Sequence, residues 1–565
     1  MGAERPTGLD LVAAATAFLL PVAYLPIVDA PFWSPKVAVL LPAAAIGLTC
    51  IPALLRTELR RATLAALVFL LVASLSAASS DDVSQAVFGL YNWGTGLLFI
   101  WCLVGVWALG ASVTEAGRKR VVLGLVTGIG ISAAVGVLQV VVDLGVPFLG
   151  SPVDDRATGF AGNPVHLAAL ALGVVALAAA KVEERRWWLV AVGVGAAVIQ
   201  LAGSRFALLL LPLVVIAMLV WRGRRPAAAV FACLIIGLGL GTGVAALGEQ
   251  ETSSTERVTA LSASGGGVTA RLETWLSARH AIADRPLLGE GPGRFRAATS
   301  PHRTLKLARA EGPDRVFDDA HNVVVEYAVT TGILGVAALG AWLSLSVVQV
   351  RSTPLAATAF AVLALHLVQP QSVATTPLAL LALGAATCGA EVAAVRSRRP
   401  PAAPLIAGAL ALAAGATLLV GDAQLQRARL DFDDAASRAS VRLLAPWPNA
   451  ASVRARLLLF EAFQDPEGSA RVRSLHWRSE ALSRAPDSPA LWNQLADDQR
   501  AAGKEKDALA SYRRALSLDP WSKRGLSGLR AVAIEEERRE ATERLALTEG
   551  KRGAAGPEGP ADRHD

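Results

Sequence analysis

Three basic side chains fall at positions where they could act on an anionic substrate. Arg205 lies directly between two apolar runs, Arg271 begins an amphipathic stretch, and His321 lies where a long polar segment meets an apolar run. A guanidinium binds the oxygens of an anion through forked hydrogen bonds, and an imidazole with a pKa of about 6.5 can accept a proton near neutral pH. The ordinary alternatives are an arginine that snorkels at the end of a span, a surface ion pair and a helix cap.

Polar groups next to these side chains could support the same chemistry. Glu326 lies inside the apolar run that starts at His321, four residues after Asn322 and therefore on the same face of a helix. An unpartnered carboxylate near the middle of a membrane costs roughly 3 kcal/mol, so we expect Glu326 to pair with an arginine or another polar group. His366 is alone within another apolar run, and we interpret it as a hydrogen-bond partner for a neighbouring helix.

The elements that must position these residues are those of a membrane protein. Of the 565 residues, 53% are hydrophobic and only 18% are charged, which excludes an ordinary soluble enzyme, where about 25% would be charged. The mean hydropathy is +0.45. Apolar runs between Leu11 and Val420 predict about 12 to 13 spans, so the predicted fold class is an all-α polytopic membrane protein.

Charge in the connections between the runs predicts the orientation of the chain. Basic residues cluster in every second connection, for example at Arg118–Arg120, and the positive-inside rule places those connections in the cytoplasm. The long loop 248–320 then lies on the outer side, as does the C-terminal region if there are thirteen spans. The net charge of +7 is accordingly a topology signal, and no nucleic-acid partner is expected.

The tail after Gly421 shows helical periodicity and a repeat. The tetratricopeptide spacing is carried by Trp492, Leu495, Ala496, Ala508, Tyr512, Ala515 and Pro520. We predict a transmembrane domain at 1–421 that includes the outer loop 248–320, a tetratricopeptide-like region at 422–543 and a disordered tail at 544–565. A helical solenoid of this kind is expected to bind a protein partner. The alternative is that it packs on the outer loop and stabilises it.

Metal or cofactor chemistry has no support in the pattern. The four cysteines lie inside apolar runs, and no two histidines have the spacing and the carboxylate of a metal site. We therefore predict neither a metal nor a cofactor.

Five short motifs occur in a fixed order along the chain. They are Gly159-Phe160-Ala161-Gly162-Asn163-Pro164, Gly203-Ser204-Arg205, Arg271 with Trp275, Asp284-Arg285-Pro286-Leu287-Leu288-Gly289 with Gly291-Pro292-Gly293, and His321-Asn322 through Glu326 to Thr331-Gly332-Ile333-Leu334-Gly335. Their order and spacing resemble those of the O-antigen ligase and polymerase family, and the resemblance covers about 1–394.

The resemblance implies a membrane glycosyltransferase of the O-antigen ligase type in the bacterial inner membrane. Such an enzyme transfers a glycan from an undecaprenyl-diphosphate-linked donor to lipid A-core or to a polysaccharide on the periplasmic face, which also implies a periplasmic C-terminal region. Arg205 and Arg271 would hold the diphosphate, and His321 would act as general base. Asn322, Glu326 and Asn163 would help to bind the substrate.

Other functions remain open. A polysaccharide polymerase and a protein O-oligosaccharyltransferase are alternatives within the same family. A transporter or flippase is the alternative from another class, but it would place polar groups and helix breaks at mid-membrane in two paired halves. Here the candidate residues gather at one predicted surface.

Overall fold

The computed structural model describes residues 7–92, 94–142, 156–247, 266–313, 315–387, 402–464 and 469–549. Within these ranges the chain is helical and contains no strand, which confirms the predicted all-α class.

Up to residue 247 the helices are α1 (Gly8–Val22), α2 (Ser34–Leu48), α3 (Ile51–Leu54), α4 (Arg60–Ala78), α5 (Val83–Phe88), α6 (Leu97–Gly110), α7 (Glu115–Val141), α8 (Pro164–Lys181), α9 (Trp188–Leu201), α10 (Arg205–Arg222) and α11 (Arg224–Leu247). The next are α12 (Gly266–Asp284), α13 (Phe295–Thr299), α14 (Leu305–Glu311), α15 (Val323–Thr330), α16 (Gly332–Val348), α17 (Thr353–Leu365) and α18 (Thr376–Thr387). The last are α19 (Ala402–Leu430), α20 (Asp434–Leu443), α21 (Asn449–Gln464), α22 (Ala470–Ser483), α23 (Pro489–Ala501), α24 (Glu505–Leu518), α25 (Lys523–Val532) and α26 (Glu535–Glu549).

Many of these helices are apolar enough to lie in a membrane. In the described part of the chain, 7 helices have the length and composition of a span, and the longest are α7 and α19. Shorter apolar helices of 10–17 residues are α1, α6, α9, α16, α17 and α18. The structure thus agrees with a polytopic helical membrane protein.

One predicted run is divided in two. The sequence predicts a single span from Val323 to Val350, but the structure breaks it between α15 and α16 at Gly332. Gly332 has a φ of +67°, and a Cβ there would lie 2.2 Å from the carbonyl oxygen of Leu287. The break therefore follows from a backbone contact with a distant part of the chain, which only glycine allows.

Contacts divide the chain into two compact units. Unit 1 comprises Met1–Ala263, Pro286–Gly293 and His321–Pro446, and unit 2 comprises Ser264–Arg285, Arg294–Ala320 and Trp447–Asp565. The predicted boundary at 421/422 falls inside α19. The predicted outer loop is shared between the units, and its first part, 248–265, lies outside the described residues. Local periodicity does not reveal this division because it depends on contacts between residues far apart in the chain.

In unit 1, the apolar helices pack closely where their residues are small. Helix α6 packs against α18, and a Cβ on Gly384 would lie 2.1 Å from the carbonyl oxygen of Trp107. Such close approach is typical of helix pairs in membranes, where van der Waals contact replaces the hydrophobic effect. Other closely packed pairs are α1 with α7, α2 with α19, α8 with α17 and α9 with α11.

Helix α19 is tied to unit 1 by a buried carboxylate. Asp422 is fully buried and accepts hydrogen bonds from the Ser34 hydroxyl at 2.6 Å and from the Ala30 amide at 3.1 Å. The hydroxyl of Tyr91 also donates to Asp422. Arg429, near the end of the helix, forms an ion pair with Asp29 at 2.8 Å. These bonds fix the register of α19 against the start of α2, so this helix is an integral part of unit 1.

In unit 2, the C-terminal helices stack along a continuous core. Helix α23 packs against α24 and α25 against α26, and one buried cluster joins Ala508 and Tyr512 to Leu526 and Leu529 of the following helix. This agrees with stacked helix pairs, while their assignment as tetratricopeptide repeats stays a prediction. Of the predicted disordered tail, residues 544–549 belong to α26, and 550–565 lie outside the described residues.

Candidate functional site

Arg205 is the first residue of α10, at the positive end of the helix dipole. The preceding Gly203 has a φ of +62°, and the Ser204 hydroxyl caps the helix by accepting a hydrogen bond from the Ala207 amide at 3.4 Å. A cation in the first turn opposes the dipole, a cost of about 0.3–1 kcal/mol. In the described part of the chain, no carboxylate lies within ion-pair distance of Arg205. A half-buried guanidinium beside unpaired helix amides is suited to an anion supplied by a ligand.

His321 has a strained backbone directly before a helix. Its φ is +51°, in the left-handed region that few residues other than glycine adopt. The next residue, Asn322, caps α15, because its side-chain oxygen accepts hydrogen bonds from Val324 N at 2.9 Å and from Val325 N at 3.2 Å. Strain of this kind persists where the surrounding structure enforces it, and it is concentrated at functional sites.

A single connection holds the starts of both helices. This connection comprises residues 366–375, between α17 and α18. The amide of Gln369 donates to the Ser204 hydroxyl at 3.0 Å, and the backbone amide of Val323 donates to the His366 carbonyl at 2.8 Å. The Cα atoms of His366 and Gln369 can be at most roughly 11 Å apart. The structure therefore brings the residues next to Arg205 and His321 to one place in unit 1.

The polar residues of this connection were not among the candidates from the sequence. Gln369 is 3% exposed, and Gln371 accepts a hydrogen bond from the Tyr327 hydroxyl at 3.2 Å. The imidazole of His366 is hydrogen-bonded through Nε2 to the Thr376 hydroxyl at 3.1 Å. The signal in the sequence was the cluster of Gln, Ser and Thr between two apolar runs, but its partners lie more than a hundred residues away in the case of Ser204.

Glu326 and Asn163 have different surroundings. Glu326 is only 7% exposed, and its backbone amide donates to the Asn322 carbonyl at 2.8 Å, so it lies on the Asn322 face of α15. Asn163 caps α8 by accepting from Val165 N at 2.9 Å. Within the described residues, the Asn163 side chain makes no hydrogen bond to the 366–375 connection. The structure thus groups Glu326 with His321 and leaves Asn163 at a separate helix start.

A buried lysine supports the motif that contains Asn163. The Lys36 side chain is fully buried, and its ammonium group donates to the carbonyl oxygens of Ala23 and Phe160, each at 2.7 Å. Phe160 also packs on Tyr24, with ring centroids 5.5 Å apart. These contacts position the turn before α8.

In unit 2, Arg271 lies near the start of α12, whose buried face consists of small and polar residues. Glu273 on this face is 7% exposed, and it accepts hydrogen bonds from Thr304 at 2.8 Å and from Lys306 at 3.0 Å. Burial raises the pKa of Glu273, but the hydrogen bonds and the charge of Lys306 outweigh it and hold that pKa below its usual value. The helix that carries Arg271 is therefore fixed by an ionised carboxylate.

Trp275 lies one turn after Arg271 and binds the residue before His321. Its indole Nε1 donates to the carbonyl of Ala320 at 2.9 Å, and Ala320 is joined to His321 by a peptide bond. The pair of residues that the sequence singled out, Arg271 with Trp275, is thus connected within unit 2 to the end of the loop. This explains why an aromatic donor follows the arginine by one turn.

The motif Pro286–Gly293 lies against the break between α15 and α16. The amides of Glu290 and Gly291 donate to the carbonyls of Val329 and Thr330, at 3.0 and 2.9 Å, and Ile333 N donates to the carbonyl of Pro286 at 2.9 Å. These bonds satisfy backbone groups that the helix break leaves without a partner. Two motifs that the sequence presents separately are therefore one structural element.

Metal ligands are not clustered in the described residues. No group of three or more His, Cys, Asp or Glu side chains among them is arranged to hold a metal ion. His302 and Asp284 lie 2.9 Å apart in unit 2, but they form only a pair.

Comparison with known families identifies one domain. Residues 188–340 match the family described as O-antigen ligase, a range that contains Arg205, Arg271, His321, Asn322 and Glu326 but not Asn163. No curated protein matches the chain. Together with the apolar helices, the match indicates a multi-pass bacterial membrane protein with a glycosyltransferase-type role in O-antigen or polysaccharide processing.

Proposed function

Because residues 188–340 form a domain of the O-antigen ligase family, we propose that this protein transfers a glycan from an undecaprenyl-diphosphate-linked donor to lipid A-core or to a polysaccharide. The observation that carries the proposal is the common anchoring of two helix starts. Arg205 and His321 adjoin residues that bond to the same connection, through Gln369 and His366. A cation for the diphosphate and a base for the acceptor are the two groups that this reaction needs.

The chemistry is a displacement at the anomeric carbon of the donor sugar. His321 accepts the proton of the acceptor hydroxyl while its oxygen forms the new glycosidic bond. The bond between the anomeric carbon and the diphosphate oxygen breaks, and undecaprenyl diphosphate leaves with the electron pair. Arg205 and Arg271 stabilise the negative charge that develops on this leaving group, which is the task that fixed cations do best in a site shielded from water.

The remaining candidate residues have supporting roles. The side-chain oxygen of Asn322 caps α15, so its contribution to substrate is through the amide nitrogen or through the position of His321. Glu326 is the buried acid one turn further along the helix. Asn163 sets the start of α8 and through it one wall of the membrane region.

An apolar cavity in unit 1 supports a lipid-linked donor. It has a volume of about 560 Å³ and lies between α8, α10 and α17, where its lining includes Leu172, Ala176, Leu210, Val214, Ala361 and Ala364. Along α10 it extends from Leu210, five residues after Arg205, to Arg222, a rise of about 18 Å. An isoprenoid chain matches this lining, because its diphosphate would remain beside Arg205.

A filling substitution tests the cavity as the lipid site. Ala361→Phe should raise the KM for the lipid-linked donor while leaving the KM for the acceptor unchanged. The matched control is Ala409→Phe on α19, where the side chain is exposed and outside the cavity. Equal donor KM values for the two variants would exclude the cavity as the isoprenoid site.

Deletion of the gene distinguishes a ligase from the related activities. A ligase is indicated if long chains disappear from lipid A-core while lipid-linked polymer accumulates. Single-repeat products on the core would indicate a polymerase, and loss of glycan from proteins an oligosaccharyltransferase. A flippase would instead leave the lipid-linked glycan on the cytoplasmic side, and the purified protein would catalyse no transfer.

The reaction is proposed for the periplasmic face of the inner membrane. A reporter that is active only outside the cytoplasm should therefore work when it is fused near Gly293 or Ala531, but not near Lys119. Activity at Lys119 would reverse the orientation. Activity at Gly293 without activity at Ala531 would show that α19 does not cross the membrane.

A further inference from the structure

The described part of the outer loop and the C-terminal helices share unit 2, and three loop arginines bond to those helices. Arg294 and Arg303 are each paired with an aspartate, and Arg309 donates through Nε to the carbonyl of Leu547 at 2.7 Å. The proposed reaction uses none of these arginines. Their role must therefore be found in what they connect.

Arg303 is the most deeply buried of the three. Its side chain is 2% exposed and lies 3.3 Å from the carboxylate of Asp519, which is 3% exposed. The guanidinium also donates to the carbonyls of Arg315 at 3.1 Å and of Pro313 at 2.5 Å. A charge buried to this degree is tolerated only with partners of this kind, so the loop conformation depends on Asp519.

Arg294 makes the same kind of contact with a second turn of the solenoid. Its guanidinium is 3% exposed and bonds to Asp487 at 2.6 Å. Asp487 lies between α22 and α23, and Asp519 lies between α24 and α25. The loop therefore contacts two successive turns of the stacked helices through paired charges.

The residues beside Arg303 hold α12 near both ends. Thr304 donates to Glu273, two residues after Arg271, and His302 is bonded to Asp284, the last residue of the helix. Lys306 reinforces the bond to Glu273. Three consecutive residues thus connect the solenoid to the helix of Arg271.

We propose that the C-terminal solenoid is the support that positions Arg271, and that Arg303 and Asp519 are positioning residues for glycan transfer. This rests on the proposed function, since it assigns a task to the helix of Arg271. Loosening the Arg303–Asp519 pair releases His302 and Thr304 and lets α12 shift. A guanidinium that is displaced from the leaving group stabilises the transition state less, while substrate binding by the other groups persists.

The test measures transfer by the full-length protein in detergent with a lipid-linked donor, in a double-mutant cycle. A misplacement of about 1 Å can cost about 10²-fold in rate, so Asp519→Asn should lower kcat on the order of 10-fold with little change in the acceptor KM. In an Arg271→Ala background the same substitution should change kcat by less than about 2-fold, because the positioned group is absent. Asp487→Asn, at a more exposed aspartate, should repeat the pattern with a smaller effect if Asp519→Asn does not fold.

The matched control is Asp498→Asn. Asp498 forms a buried pair with Arg478 at 2.8 Å inside the solenoid, with the side chains 8% and 6% exposed. This variant should lose stability in the same way but retain transfer when assayed below its unfolding temperature.

The outcomes separate this inference from the proposed function. Equal losses from Asp519→Asn in the two backgrounds, full activity of Asp519→Asn, or an equal loss from Asp498→Asn would each overturn the positioning role alone. An Arg271→Ala variant with normal transfer would defeat both the positioning role and the proposed function of Arg271.

Discussion

Arginines in unit 1 and in unit 2 are used in opposite ways. At the start of α10, Arg205 is half-buried and has no carboxylate within ion-pair distance among the described residues. In unit 2, Arg294 and Arg303 are almost completely buried and each is paired with an aspartate. A guanidinium that stabilises a fold has its charge matched by the protein, whereas a guanidinium kept for an anionic substrate does not.

The same contrast separates the backbones of the two regions. The unit 1 site is built from helix starts with strained residues beside them, Gly203 and His321. The helix of Arg271 in unit 2 is instead clamped by side chains, at Glu273 and Asp284. Unit 1 therefore supplies the reacting groups with fixed backbone geometry, and unit 2 supplies a group whose position depends on ion pairs.

The largest effect is expected at Arg205. Arg205→Ala should lower transfer on the order of 10²-fold or more with normal membrane insertion, because it removes a fixed cation from the leaving group. Arg205→Lys should restore only part of the activity, since lysine keeps the charge and loses the fork. The control is Arg222→Ala at the other end of α10, where the arginine is exposed and paired with Glu183 at 2.8 Å. Similar rates for Arg205→Ala and Arg222→Ala would contradict the assignment.

His321 should be nearly as sensitive. His321→Ala removes the proton acceptor, and we expect a loss on the order of 10²-fold at neutral pH. The comparison is with His366→Ala, which keeps the backbone carbonyl that binds Val323 and should reduce transfer much less. The pair of variants is assayed with the same donor and acceptor. A greater loss at His366 would exclude His321 as the base.

A smaller effect is expected at the helix break. Gly332→Ala places a Cβ against the Leu287 carbonyl and forces a left-handed φ on alanine, so it should destabilise the protein by more than about 1 kcal/mol. Gly340→Ala, where a Cβ would have nothing within 4 Å, is the control and should be neutral. Thermal unfolding in detergent measures both. Unchanged stability of Gly332→Ala would show that the Pro286–Gly293 contact is not required.

Gln369 should contribute less again. Gln369→Ala removes its hydrogen bond to Ser204, a net loss of about 1 kcal/mol, so transfer should fall about 5-fold. Gln349→Ala, at the opposite end of α16 from His321, should have no effect. If Gln369→Ala is as active as Gln349→Ala, the 366–375 connection does not couple the two helix starts.

The smallest effect is expected from removal of divalent ions. Excess chelator should leave transfer by the purified protein unchanged, because the described acids and histidines form no set of three that could bind a metal. Activity that disappears in chelator and returns with magnesium or manganese would assign a metal to acids such as Asp318 and Asp319.

Local sequence patterns predicted the elements of the fold and the positions of the candidate residues. The apolar runs correspond to apolar helices, and Arg205 and His321 lie at helix starts because Ser204 and Asn322 are good caps. These features depend on a few neighbouring residues, so they are visible in the sequence alone.

What could not be predicted depends on distant contacts. The break at Gly332 is imposed by Leu287, the 366–375 connection binds Ser204, and Arg303 is buried only because Asp519 lies beside it. Each partner is separated from its counterpart by at least one whole helix. A single sequence carries no signal of such pairing, which is why the outer loop and the tail were predicted as separate domains.

The most direct test of glycan transfer is a stoichiometric assay with the purified full-length protein, a defined undecaprenyl-diphosphate-linked glycan and lipid A-core. We expect one undecaprenyl diphosphate to be released for each glycan that appears on the acceptor, and both products to be lost in Arg205→Ala. Release of diphosphate without a glycosylated acceptor, or equal product formation by Arg205→Ala, would contradict the proposed reaction.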